Sequence, residues 1–223
     1  LLDEKYPGKK DLHLVASKRS AGNKMSCGDE EFVIQDIENF NFSNVDIAFF
    51  SAGAKTAEKY APLAVSSGCT VIDNSSHFRT HEDKLLIVPE VNSKDLCNFE
   101  SPGIISNPNC STAQLVVALK PIHDLFLIKR VDVASYQSVS GTGKEGIDEL
   151  IEQTKKFLND EDIHPKVYGA QIAFNVIPAG NILESNYTDE EIKMSFETNK
   201  ILDKDIKLSA TCSRVPVLYG HSL

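Results

Sequence analysis

Short apolar runs alternate with helical or turn segments through the first half of the chain. Residues 12–17 (LHLVAS), 32–36 (FVIQD), 45–51 (VDIAFFS), 70–73 (TVID), 85–88 (LLIV) and 103–106 (GIIS) each have the β-rich, apolar character of a buried strand. Between them, residues 55–66 (KTAEKYAPLAVS) carry Ala and Leu at helical spacing. Strands this short, separated by helices, predict βαβ units on a parallel sheet.

The pattern changes near Pro108. Residues 111–125 (STAQLVVALKPIHDL) have a helical period, with Pro121 predicting a kink or break. Residues 131–139 (VDVASYQSV) form a longer strand of strong β formers, and 146–158 (GIDELIEQTKKFL) an amphipathic helix. A second helix over 189–202 is started by Thr188 as N-cap, with Glu191 three residues on to close a capping box. Residues 207–217 (KLSATCSRVPV) alternate as a strand. This order predicts a second, α+β unit with an antiparallel or mixed sheet. The expected domains are 1–108 and 109–223 of an α/β protein.

Composition narrows the function. The chain has 223 residues, 23 Lys+Arg against 32 Asp+Glu, and a net charge of −9. That balance argues against nucleic acid, because phosphate neutralisation needs clustered basic residues. No run approaches the ~20 apolar residues of a membrane span. Cys27, Cys69, Cys97, Cys110 and Cys212 are odd in number, widely spaced and without a CxxC pair. This disfavours a metal site and a disulfide framework, and points to a reducing compartment, the cytoplasm. Residues 1–6 resemble the tail of a helix rather than a signal peptide, and both ends suggest a piece of a longer protein.

Cys110 stands out among the five. It follows an apolar strand and opens a helix, where unpaired N–H groups favour a thiolate and can hold an oxyanion. The other four cysteines read as small buried hydrophobes. His221 lies in a Gly-His-Ser segment, which presents its imidazole at a loop. Arg214 is seven residues before it, so strict strand alternation points the two to opposite faces. A bulge or loop near Tyr219-Gly220 is needed if both line one site.

No Gly-rich turn follows an early strand. Gly141-Thr142-Gly143-Lys144-Glu145-Gly146 spells GxGxxG but lies beyond the βαβ half, so it is not read as a pyrophosphate loop. After the first strand stand Ser17, Arg19 and Ser20, which suit a 2′-phosphate and favour NADP over NAD. Ser51-Ala52-Gly53 and Ser140-Gly141 are small-residue loops that a cofactor can approach closely.

Asn107-Pro108-Asn109-Cys110-Ser111-Thr112 resembles the nucleophile motif of the aspartate-β-semialdehyde dehydrogenases. So do Asp73-Asn74-Ser75-Ser76-His77-Phe78-Arg79, Val88-Pro89-Glu90-Val91-Asn92 and Ser135-Tyr136-Gln137-Ser138-Val139-Ser140-Gly141. Phe174-Asn175-Val176-Ile177-Pro178, Glu197-Thr198-Asn199-Lys200-Ile201-Leu202 and Arg214-Val215-Pro216-Val217 with Gly220-His221-Ser222 complete the series, in the family's order. His77 stands where Ala is common, and Ala179-Gly180-Asn181 where His-Ile-Asp is usual.

The resemblance implies a Rossmann-like NADP-binding domain and an α+β catalytic and dimerisation domain with a mixed sheet, both incomplete relative to the family. It implies reduction of L-aspartyl-4-phosphate to L-aspartate-4-semialdehyde through a thioester, in biosynthesis of lysine, threonine, methionine and isoleucine. Cys110 is then the nucleophile, His221 the acid/base and Gln137 a substrate-positioning residue. Arg214 and Glu190 bind substrate, whereas Arg79, Asn109 and Lys193 bind phosphate. The family assigns Ser51, Ala52, Gly53, Ser140 and Gly141 to the ribose and nicotinamide, and a homodimer as the assembly. The alternatives are an N-acetyl-glutamyl-phosphate reductase-like enzyme, a non-catalytic binding protein on this fold and, more remotely, a Cys–His hydrolase.

Overall fold

The computed structural model describes residues 11–27, 30–202 and 205–223. The helix tail expected at residues 1–6 lies outside the described residues. Strand β1 (Val15–Ala16) pairs in parallel with β4 (Gln35–Asp36), and β2 (Lys24–Cys27) forms an antiparallel hairpin with β3 (Glu30–Val33). The single strand expected over 32–36 is thus divided at Ile34. Ile34 exchanges hydrogen bonds with Gly22 and Asn23, and the next amide, Gln35 N–H, donates to the Leu14 carbonyl instead. One continuous β-rich run therefore serves two partners. Only Val15–Ala16 of the run 12–17 is strand.

A parallel sheet follows, built of β5 (Ile47–Phe50), β6 (Thr70–Asp73), β7 (Leu85–Leu86) and β8 (Ile104–Ser106) in the order β5-β6-β8-β7. Helix α1 (Ala54–Ser66) follows β5 and buries Ala57, Tyr60, Ala61 and Ala64. Three small side chains on that face let the helix lie close to the sheet, against Phe42, Phe50, Cys69, Val71, Phe78 and Ile104. A one-turn helix, α2 (Pro89–Asn92), leads to the 3-10 segment Ser93–Asn98.

Helix α3 (Cys110–Phe126) runs through Pro121, so of the kink or break expected there the break does not occur. Proline removes the donor to the carbonyl four residues back, at Val117, and Val117 is exposed, so water can take that carbonyl. Strand β9 (Arg130–Gln137) then precedes helix α4 (Lys144–Leu158), β10 (Ile177–Pro178), helix α5 (Asp189–Ile201) and β11 (Lys207–Arg214). The second sheet has the order β10-β11-β9, with β11 parallel to β9 and antiparallel to β10. It is therefore mixed. One face packs on α3 and α5 through Leu115, Val131, Met194, Ala210 and Cys212. The alternate positions Asp132, Ala134, Tyr136, Ser209 and Thr211 face outward and are exposed.

The Thr188 hydroxyl accepts from Glu191 N–H and the Glu191 carboxylate accepts from Thr188 N–H, so the expected capping box starts α5. Strand β11 ends at Arg214, short of the expected 217. Burial pushes the thiols of Cys69 and Cys212 above their ordinary range, as suits inert core residues. Cys97 departs from its reading as a buried hydrophobe, since it is exposed. Among the described residues no helix is long and apolar enough to cross a membrane, and no cluster of three or more His, Cys, Asp or Glu could hold a metal ion.

Candidate active site

Strands β5 to β8 are all parallel, so the loops that follow them leave one edge of their sheet, and β1 and β4 form a separate parallel pair. Ser17, Arg19 and Ser20 follow β1 in a turn closed by Ser20 N–H and Ala21 N–H, both donating to the Ser17 carbonyl. Ser17 and Arg19 are exposed, and Ser20 is half-buried. Ser51, Ala52 and Gly53 follow β5, all exposed, and Gly53 caps α1 at a φ of 85° with no side-chain cap. Positive φ favours glycine there, and the uncapped helix start keeps backbone donors available. The carboxyl edge of parallel strands is where nucleotides bind in such folds. These residues fit a dinucleotide in that the edge is open, backbone donors are available and Arg19 adds a cation.

The loop after β8 carries Cys110. Asn109 is the N-cap of α3, its Oδ1 accepting from Ser111 N–H at 2.9 Å. Cys110 is the first helical residue and is exposed, its Sγ 3.9 Å from Asn109 Oδ1. Asn109 is gripped from α5 as well. Its Nδ2 donates to Glu190 Oε2 at 2.9 Å and its backbone N–H to Glu197 Oε2 at 2.6 Å. Gln137, at the end of β9, is almost wholly buried, and its Nε2 donates to Ser111 Oγ at 3.2 Å and to Ser135 Oγ at 3.3 Å. So Gln137 and Glu190 both reach residues flanking Cys110.

His221 and Arg214 meet at Gly141. A Cβ added to Gly141 would stand 2.8 Å from Arg214 Nη1 and 3.1 Å from both His221 Cε1 and Nε2. Strand alternation forbids that meeting, and the loop after β11 achieves it, turning at Gly220 with a φ of 86°. Arg214 Nη1 donates to the Ser138 carbonyl at 2.8 Å. His221 Nδ1 accepts from Ser138 N–H at 3.1 Å and lies 3.1 Å from the Ser138 hydroxyl. A backbone N–H can only donate, so neutral His221 carries its proton on Nε2 in this arrangement. Burial, with the nearby Arg214 charge adding to it, holds the His221 pKa below the ordinary histidine range.

Lys193 donates to Asp189 Oδ2 at 2.9 Å and to Glu190 Oε1 at 3.0 Å. Burial alone would lower its pKa, but these carboxylates outweigh that and raise it. Glu190 therefore links Lys193 to Asn109. Arg79 is buried within the 3-10 turn Phe78–Thr80, its Nε donating to the Asn107 carbonyl at 2.8 Å and its Nη2 to the Asn74 carbonyl at 3.0 Å. The Asn74 turn is shaped by buried Asp73, whose carboxylate accepts from both the N–H and the hydroxyl of Ser75. Ser140 is half-buried, its Oγ 2.8 Å from Ser138 Oγ, and Gly141 is exposed.

Ser111, Ser138 and Glu197 sit at this site although the sequence did not single them out. Ser111 and Ser138 carry no distinctive residue type. Glu197 lay in a motif matched to the family, with nothing in its spacing to reveal a partner 88 residues away.

The architecture defines a class: a parallel dinucleotide-type sheet joined to a mixed sheet, with a thiol at a helix start and a His–Arg pair on the second unit. Comparison with known proteins narrows it. Residues 1–99 match the family model described as semialdehyde dehydrogenase, NAD binding domain, and residues 119–223 the one described as semialdehyde dehydrogenase, dimerisation domain. The aspartate-semialdehyde dehydrogenase of Shewanella sp. (strain DB6705) is 52% identical over 95% of this chain and 63% of its own length. The crystal structure of aspartate semialdehyde dehydrogenase II from Vibrio cholerae, complexed with ASA, superposes with a TM-score of 0.94 at 47% identity, over 99% of this chain and 66% of that one. The enzyme from Candida albicans, solved with NADP, gives a TM-score of 0.70 at 28% identity, over 97% of this chain and 63% of that one. The chain belongs to the semialdehyde dehydrogenase family. It spans slightly less than two thirds of the length of these three relatives.

Proposed function

We propose that the protein interconverts L-aspartyl-4-phosphate and L-aspartate-4-semialdehyde, with phosphate and NADP, through a thioester on Cys110. One observation supports this most: Arg214 and His221, seven residues apart, converge on Gly141, while Gln137 and Glu190 reach the residues flanking Cys110. The names of the relatives favour this reading over N-acetyl-glutamyl phosphate reduction, a hydrolase or a binding protein without catalysis.

In the reductive direction the Cys110 thiolate attacks the acyl carbon. The C–O bond to phosphate breaks and phosphate leaves, held by Asn109, Lys193 and Arg79. The thioester is then reduced to a thiohemiacetal oxyanion, and the C–S bond breaks to give aldehyde and thiolate. Ser17, Arg19 and Ser20 would hold the 2′-phosphate of NADPH, and Ser51, Ala52, Gly53, Ser140 and Gly141 its ribose and nicotinamide; the cofactor, when bound, would supply the hydride. His221 Nε2–H donates toward the oxygen that becomes negative, and in reverse the same N–H stabilises the oxyanion that forms when the Cys110 thiolate adds to the aldehyde. Arg214 pairs with the substrate carboxylate through its planar fork, and Glu190 with the ammonium. Gln137 holds the acyl group over the thiol. Arg19 favours NADP, as the phosphate it would meet is absent from NAD.

The division at residue 108, a homodimer formed through the exposed face of the second sheet, and a cytoplasmic setting belong to this reading. The test is NADP⁺ reduction by the whole protein with aspartate semialdehyde, with and without phosphate, beside N-acetyl-glutamate semialdehyde. Phosphate-dependent turnover of the first alone is the expected result. Turnover that persists in Cys110→Ala would refute the mechanism.

A further inference from the structure

Helix α5 presents two residues that the scheme above leaves unused, Glu197 and Lys200. Glu197 is almost fully buried. Its Oε1 accepts from Arg79 Nη1 at 3.4 Å, and its Oε2 from the Asn109 N–H at 2.6 Å. One carboxylate thus joins a turn 118 residues away to another 88 residues away. One turn further along α5, Lys200 Nζ donates to the carbonyls of Arg79 at 3.0 Å and His81 at 2.6 Å. The Arg79 turn is therefore held by its side chain and by its main chain from the same helix.

The bonds on Arg79 are informative. Three of its N–H groups are spent on Asn107, Asn74 and Glu197, one from each nitrogen. These fix the guanidinium plane and leave one N–H on Nη1 and one on Nη2 for a further acceptor such as an anion. A buried carboxylate is a poor choice for stability alone, since an apolar replacement of a buried pair is often neutral or stabilising. Burial indeed pushes the Glu197 pKa up, against the opposing pull of Arg79 and the Asn109 N–H.

We propose that Glu197 is a positioning residue that locks the Arg79 guanidinium and the Asn109–Cys110 turn into one geometry, holding the anion site in register with the thiol. This rests on the roles proposed above for Cys110 and Arg79. Glu197 acts through those residues and touches no reacting atom. Two opposing effects decide its test. A carboxylate beside Arg79 weakens the pull on phosphate, so on charge alone its removal should lower KM for phosphate. Loss of register does the reverse, and misplacement by about 1 Å can cost on the order of 10²-fold in rate.

The test is Glu197→Gln in the whole protein, assayed in the phosphate-dependent direction. Gln keeps the size and one acceptor for Asn109 N–H but removes the attraction to Arg79. The expected result is KM for phosphate raised and kcat lowered, each about tenfold, with the melting temperature within about 4 °C of wild type. Arg79→Lys should raise KM likewise, and the double variant should be no worse than the worse single. An unchanged or lowered phosphate KM, or additive effects, would overturn the proposal. So would a melting temperature that falls with unchanged kinetic constants. If Glu197→Gln does not fold, Glu197→Asp, one methylene shorter, carries the same test. If wild type shows no phosphate-dependent turnover, the functional reading fails, and iodoacetamide labelling of Cys110, followed by peptide mass, still decides positioning. A rate in the variant differing about threefold or more from wild type supports it; an equal rate overturns it.

Discussion

The turn that carries Cys110 is gripped by side chains, whereas the loop that carries His221 is stitched by main chain. Asn109, beside the thiol, is held by Glu190 and Glu197, and Ser111 by Gln137. These grips come from distant parts of the chain. The loop 215–222 instead exchanges backbone bonds with residues 136–140: Val215 N–H with the Gln137 carbonyl, Val139 N–H with Val217, Ser140 N–H with Leu218, and Tyr136 with Ser222 in both directions. A side-chain grip can be lost by one substitution, while a backbone ladder survives most of them. The thiol side should therefore respond sharply to mutation of its neighbours, and the imidazole side mainly to loss of His221 itself.

Several substitutions probe that contrast, in falling order of effect. Cys110→Ala should remove turnover by at least about 10³-fold without loss of fold, measured as initial rate beside circular dichroism. His221→Ala should lower kcat by roughly 10²–10⁴-fold, the usual contribution of a positioned acid/base. Asn109→Ala should weaken the start of α3 by about 1 kcal/mol and change the rate of Cys110 alkylation. Chemical denaturation and labelling read the two effects separately, and an unchanged labelling rate would weaken the contrast. Ser222→Ala should change stability by less than about 0.5 kcal/mol and leave kcat intact, because the bonds of Ser222 with Tyr136 run through its backbone.

The pH dependence sharpens the imidazole side. The folded His221 pKa is lowered, so the ring stays neutral down through the ordinary value of about 6.5. The acid limb of kcat/KM should therefore fall below that pH. The same sign holds for stability: between the folded and unfolded pKa the unfolded chain binds more protons, so this contribution declines as pH drops through that window. A limb above the ordinary value would contradict the burial of the ring beside Arg214.

The fold was legible where local chemistry and tertiary demand agree. Helix α1, strand β6 and the Thr188–Glu191 capping box follow from period, strand propensity and spacing within a few residues. No break occurs at Pro121 because exposed Val117 lets the helix continue despite the missing donor. Ile34 misled because a single apolar run can change partners in mid-strand. The candidate site was legible through its reactive residue types, Cys110, His221 and Arg214, and through the motif order. Ser138 under His221 and Glu197 under Arg79 were not, because ordinary residues gain meaning only from contacts made across 83 and 118 positions. The need for a turn near Gly220 could be stated from strand alternation, but its landing point beside Gly141 could not.

The proposed reaction turns on a thioester on Cys110, and trapping that thioester tests it. The whole protein is mixed with aspartate semialdehyde and NADP⁺ without phosphate, quenched in acid and digested for peptide mass analysis. The expected result is an aspartyl adduct on the Cys110 peptide that disappears when phosphate is added before quenching. NADPH formation with no adduct, or an adduct on another residue, would contradict it.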